Sequence, residues 1–241
     1  MALPVANTAK YELTLPSQQK KVQYRPFLVK EEKILLLALE SGKPAEMLKA
    51  VKELVESCTF GTMNPAEHPM FDLEYVFLQI RAKSVGEIAK IKVLCPDSTD
   101  EDKQYGEIEV DLTKVEVFLD DNHTNNVVLD EKRKLGLVLK YPGLDSLSPE
   151  MVAGKVKLSD SYDMIEGLIE QIYEGENVTF AKDTEKGELR TFIDGLSNDQ
   201  MKKVLNFFDT APRLEQKVKV TNPKTKVESE VTLRGLSDFF G

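Results

Sequence analysis

Lys90-Ile91-Lys92-Val93-Leu94-Cys95-Pro96, followed past a polar loop by Glu107-Ile108-Glu109-Val110-Asp111-Leu112, has an echo near the far end of the chain. There Lys217-Val218-Lys219-Val220-Thr221-Asn222-Pro223 leads to Glu228-Ser229-Glu230-Val231-Thr232-Leu233. Both stretches read K-x-K-V-x-(C/N)-P, a polar turn, then E-x-E-V-x-L. Apolar residues at a period of two on either side of a turn predict a β-hairpin. Two similar hairpins therefore flank the second helical pair of the chain; chance likeness between strand-rich segments is the alternative. A strand, a turn carrying Cys95 and a second strand is also how a zinc ribbon begins. A structural zinc site needs about four nitrogen or sulfur ligands. The first turn offers one cysteine, and Asn222 stands where the second would supply another, so the expectation is a degenerate ribbon without metal.

Outward from the first hairpin, a β-rich segment is expected over 85–158. Ile108, Val110 and Leu112 are followed by Val115 and Val117, and Leu135, Leu137 and Leu139 close the set before Tyr141-Pro142-Gly143. The polar run from Asp120 to Asn126 interrupts it as a loop. Upstream, over 1–84, Tyr11–Leu15 and Val22–Arg25 alternate around Pro16-Ser17 and predict a hairpin. Three helices follow. The first begins after Pro26-Phe27 with Glu31 and Glu32 at its positive end and stops at Gly42. Its centre, Ile34-Leu35-Leu36-Leu37-Ala38-Leu39, is apolar on nearly every face, which calls for burial inside its own domain or inside an assembly. Pro44 suits the first turn of the second helix, running to about Ser57, and Pro69 opens the third. Over 159–241 a helix is expected after Ser159, with Met164, Ile165, Leu168, Ile169 and Ile172 inward and Gly175 as its end. Ser197-Asn198-Asp199-Gln200 is a capping box for another, and the second hairpin completes the chain. The fold class is α+β, a helical core with hairpins at both ends and a β-rich middle; 159–241 and 1–84 could form one compact unit.

The 241 residues are 41% hydrophobic and 30% charged, as in an ordinary globular protein. The formal net charge of -9 opposes nucleic acid and anionic membrane surfaces. No window is apolar over the length of a membrane span, and the opening residues carry no secretory pattern. Two cysteines, Cys58 and Cys95, do not make a disulfide framework. A soluble protein of the cytosol is expected.

The chemical signatures are missing. There is no phosphate loop, dinucleotide fingerprint or nucleophile elbow. The two histidines, His68 and His123, lie in separate segments, and a Cys-His or Ser-His-Asp site would have to bring one of them to a nucleophile. The acidic turn Asp97, Asp100, Glu101, Asp102 lacks calcium-loop spacing and its glycine. Glu166, Glu170 and Glu174 fall at i,i+4 spacing on the expected helix, either a solvated face or a surface for a basic partner. No enzyme, cofactor or metal is expected.

Three landmarks carry a family resemblance. Tyr11-Glu12-Leu13-Thr14-Leu15-Pro16-Ser17 with Lys20-Lys21-Val22-Gln23-Tyr24-Arg25-Pro26-Phe27-Leu28-Val29-Lys30-Glu31-Glu32-Lys33 resembles the opening of the baseplate hub subunit and hub assembly proteins of T-even-type contractile-tailed bacteriophages. Leu135-Gly136-Leu137-Val138-Leu139-Lys140-Tyr141-Pro142 is similar to that family's middle, and Leu233-Arg234-Gly235-Leu236-Ser237-Asp238-Phe239-Phe240 to its ending. The resemblance implies a late-expressed protein of the baseplate hub, made in the host cytoplasm and held in the virion tail if structural. Its implied partners are other hub proteins and the tape-measure protein, with no small-molecule activity. A transient assembly factor or tape-measure chaperone is the alternative, and a hub-associated cell-wall hydrolase a third reading. Candidate interface residues are Phe27, Leu236, Phe239, Phe240, Glu166 and Glu170. The terminal aromatics either anchor a partner or pack back on their own hairpin. Homo-oligomerisation stays open.

Overall fold

A computed structural model describes residues 8–146 and 158–240 of the chain. The chain forms two compact units, one of residues 1–118 and 213–241, the other of 119–212. This division differs from the expected segments 1–84, 85–158 and 159–241. The first hairpin packs with the helices and the second hairpin in one core, so it parts from the strands that follow it in sequence.

In the first unit, strands β1 (Tyr11–Thr14) and β2 (Lys21–Tyr24) form the opening hairpin, with Leu13 opposite Val22. Helices α1 (Val29–Ser41), α2 (Pro44–Cys58) and α3 (Met70–Val85) follow. Gly42 closes α1 in the left-handed conformation, φ 62°, and its N–H donates to the Leu39 carbonyl, a position that favours glycine. α3 is the buried helix. Leu73, Val76, Phe77, Leu78, Ile80 and Ala82 are all enclosed, because α3 packs against α2 and also against strand elements.

Strands β3 (Ile88–Leu94) and β4 (Tyr105–Asp111) form the hairpin read from the sequence. Ala89, Ile91 and Val93 face inward while Ile88, Lys90, Lys92 and Leu94 are exposed. Strand β5 (Glu116–Phe118) borders β10 (Arg213–Thr221), which pairs in turn with β11 (Glu228–Arg234). Phe118 pairs with Arg213, so the chain leaves this unit and re-enters it on neighbouring residues. The core joins Leu78 and Ala82 of α3, the inward residues of β3, Val110, Leu112, Leu214, Val220, Leu233 and Phe239.

The second unit is an antiparallel sheet ordered β6 (Asn126–Asp130), β7 (Leu135–Leu139), β8 (Ile169–Glu174) and β9 (Asn177–Phe180). Helices α4 (Leu158–Leu168), α5 (Glu188–Asp194) and α6 (Asn198–Thr210) accompany it. The expected helix past Ser159 ends at Leu168, and residues 169–174 are strand. Ile169, Ile172 and their neighbours pair with β7, and satisfying that sheet edge overrides helical spacing. The Ser159 side chain lies outside the described residues. Ser197 caps α6 as expected, its hydroxyl accepting from Gln200 N–H while Gln200 accepts from Ser197 N–H.

A candidate interaction surface on the first helix

The start of α1 is fixed by a buried charge. Leu28 precedes the helix and has no side-chain oxygen with which to cap it. Glu31 supplies the other half of a capping arrangement, its carboxylate accepting from Leu28 N–H at 2.6 Å. The same carboxylate pairs with Arg25 of the preceding hairpin at 2.9 Å and accepts from the Ser57 hydroxyl of α2 at 3.0 Å. Burial pushes the Glu31 carboxyl up. The hydrogen bonds from Arg25, Leu28 N–H and Ser57, with the Arg25 charge, outweigh that and bring it down to about 2. Hairpin, α1 and α2 are thereby tied at one point.

Pinned in this way, α1 buries Glu31, Leu35 and Ala38. These positions recur at i, i+4 and i+7, one narrow stripe facing the neighbouring α2. The remaining apolar side chains point elsewhere. Ile34 is 44% exposed, Leu36 52%, Leu37 55% and Leu39 49%. Val29 at the first turn is more open still. Of the two environments that the sequence allows for this segment, burial in its own unit is therefore not the one found for these four side chains. They form two ridges flanking the buried stripe, Ile34–Leu37 and Leu36–Leu39, with Lys33 and Glu40 between them on the far side. Apolar ridges left open on one helix and bordered by charge mark a protein contact. Beside it, a cleft of about 190 Å³ is lined by Lys30, Glu31, Ile34, Ala50, Glu53, Leu54 and Ser57.

The residues singled out in the sequence scatter. Phe27 is half-buried just before α1, and its backbone N–H donates to the Ser84 hydroxyl at 2.9 Å. Phe239 is fully enclosed in the core of the first unit, so it is a core side chain and not an exposed anchor. The short helix α7 (Gly235–Phe240) packs against α3 and the hairpins and carries Phe239 inward. The side chains of Leu236 and Phe240 lie outside the described residues. Glu166 is on α4, whereas Glu170 and Glu174 are on β8. The helical acidic ladder does not form; Glu166 lies 3.9 Å from Arg190 and Glu174 2.9 Å from Arg133.

Most of the reactive residue types are held by structural partners, whereas His68 Nδ1 is buried without a hydrogen bond. His123 in the second unit approaches Thr210 Oγ1 with Nδ1 at 2.9 Å and Tyr141 OH with Nε2 at 3.0 Å. Its ring lies against Phe207. Burial lowers its pKa, with Asp120 acting weakly the other way. His68 is next to the buried Asp72 carboxylate at 3.5 Å. Asp72 accepts from Ser17 N–H at 3.0 Å and from the Ser17 hydroxyl. Burial pushes the Cys58 thiol up to about 11, partly offset by Arg25, so it is a poor nucleophile at neutral pH. Among the described residues, no three His, Cys, Asp or Glu side chains gather where a metal ion could be held. No described helix is long and apolar enough to cross a membrane.

A family model described as T4 bacteriophage base plate protein matches residues 8–241. The chain belongs to that family. The match takes in both compact units and all three landmarks quoted above, so the baseplate protein is matched as a whole and not through one hairpin. No curated protein and no solved structure matches it.

Proposed function

We propose that this baseplate protein is a non-enzymatic component of the central hub, acting by binding other baseplate proteins through the apolar flanks of α1. The observation that carries the reading is the set of four half-exposed apolar side chains on one well-anchored helix. A helix of this kind in water gains free energy when a partner covers it. The net charge of -9 favours protein partners over nucleic acid. The hub position rests on the likeness of the opening, middle and ending stretches to hub proteins, and the tape-measure protein is a partner on the same ground. The absence of chemistry is supported by both ring nitrogens of His123 being engaged and by the protonated Cys58 thiol.

Quantitative mass spectrometry on purified tails and on infected-cell lysate tests the structural role. Recovery in the tail in fixed ratio to other baseplate proteins is expected. Abundance in lysate with absence from tails would instead make the protein a transient assembly factor. A peptidoglycan zymogram should stay blank; a clearing band from the purified chain would overturn the non-enzymatic reading.

A further inference from the structure

The two echoing hairpins meet at their turns. The β3–β4 turn begins at Cys95 and the β10–β11 turn at Asn222, and each of these side chains is only 1% exposed. The side chains two places further round the turns are Asp97 and Lys224, and three places on are Ser98 and Thr225. Positions 95 and 98, and positions 222 and 225, thus have the C-x-x-C spacing that two zinc knuckles need.

Ion pairs repeat as well. Lys92–Glu107 and Lys90–Glu109 on the first hairpin correspond in sequence to Lys219–Glu228 and Lys217–Glu230 on the second. Gly106 on β4 records how closely the hairpins approach. A Cβ placed there would lie 2.3 Å from Val220 Cγ2, 2.8 Å from the Thr221 carbonyl oxygen and 3.6 Å from Cys95 Sγ. One point therefore touches the Cys95 sulfur and the residue before Asn222.

What bridges the turns is a carboxylate. Asp97 accepts from Asn222 Nδ2 at 2.8 Å with one oxygen and from Thr225 Oγ1 at 2.5 Å with the other. Lys224 forms an ion pair with Asp102 across the same gap. Asn222 Oδ1 meanwhile accepts from the N–H groups of Lys224 and Thr225 at 2.8 and 3.2 Å. Those are the amides that a thiolate at the head of a knuckle would attract, so the asparagine oxygen takes over the acceptor role of a sulfur. The donor set present, one thiol with two hydroxyls and an amide, does not suit zinc, which prefers thiolate and imidazole.

We infer that the two turns are the ligand arms of a four-cysteine zinc ribbon in which a hydrogen-bonded clasp centred on Asp97 takes the place of the ion. The scaffold keeps the positions of a metal site while its connection is made by side chains alone.

Converting Ser98, Asn222 and Thr225 to cysteine in the full chain (S98C/N222C/T225C) tests this. The variant, folded in the presence of zinc, is expected to hold one zinc per chain by native mass spectrometry, and cobalt is expected to give the absorption of tetrahedral thiolate coordination. A chelator should remove the metal and lower the melting temperature of the variant while leaving the parent unchanged. A folded variant without stoichiometric zinc, or one that zinc fails to fold, would overturn the inference. In the parent chain, Asp97→Ala should raise amide exchange at 95–104 and 222–227 together; unchanged exchange at either turn would remove the clasp.

Discussion

Replacing Ile34, Leu36, Leu37 and Leu39 together by glutamine separates what α1 does for its own fold from what it does for a partner. Glutamine has nearly the helix propensity of leucine, and each position is already about half in water. Each exposed substitution should alter the stability of the free chain by no more than about 0.5 kcal/mol. Association is different. Full burial of such a side chain contributes about 1.5–3 kcal/mol, so covering the open half of each offers roughly 1 kcal/mol. Four of them amount to about 4 kcal/mol, or about a thousandfold in Kd. Denaturant unfolding of the free chain, beside titration into baseplate intermediates assembled without it, reads both quantities. Unchanged affinity in a folded variant would refute the role of α1. Stability reduced by more than about 3 kcal/mol in the free chain would show that these four side chains serve its own core.

Glu31→Gln should cost on the order of 3 kcal/mol at pH 7, the free energy equivalent of a carboxyl brought from 4.5 to about 2. Because the folded pKa lies below the unfolded one, the contribution is complete above about pH 4.5 and disappears as pH falls towards 2. Wild type and variant should therefore converge in denaturant midpoint near pH 2, and a gap that persists there would contradict the assignment. Phe239→Ala should lose about 3–5 kcal/mol, as for other buried aromatics, and should unfold the first unit as a whole; a loss under about 1 kcal/mol would return Phe239 to the surface. Gly136→Ala places a methyl carbon 2.2 Å from the Tyr173 hydroxyl and 2.8 Å from the Val127 carbonyl oxygen. It should lower the melting temperature of the second unit by several degrees, and an unchanged transition would mean that β7 can shift.

Much of the first unit was legible because its signals are local. Pro44, Gly42 and Pro69 bracket α1 to α3, and the alternation in β3 matches its buried face residue for residue. Residues 158–174 misled because Ile165, Leu168, Ile169 and Ile172 satisfy helical spacing, whereas only the non-local pairing of β8 with β7 and β9 makes 169–174 a strand. The compact units differ from the segments read along the sequence for a similar reason. The partner of the first hairpin is more than a hundred residues away in sequence, and only the K-x-K-V and E-x-E-V echo hinted at it.

For the proposed interface, the informative signal was leucine at angles where a half-buried helix would carry charge. Phe-Phe at the end of the chain looked more like an anchor, yet Phe239 turned inward once α7 folded over the hairpins. Glu166 and Glu170 lost their common face when the chain changed from helix to strand between them.

The most direct test of the account is cross-linking mass spectrometry on assembled baseplates. Lys30 and Lys33 both sit on α1, beside the apolar ridges; both are exposed, and Lys30 Nζ lies 3.4 Å from Glu31. In the intact baseplate these lysines should cross-link to another baseplate protein and lose reactivity relative to the free chain. Cross-links confined to this chain, with reactivity as high in the assembly as in solution, would contradict a role for α1 in binding.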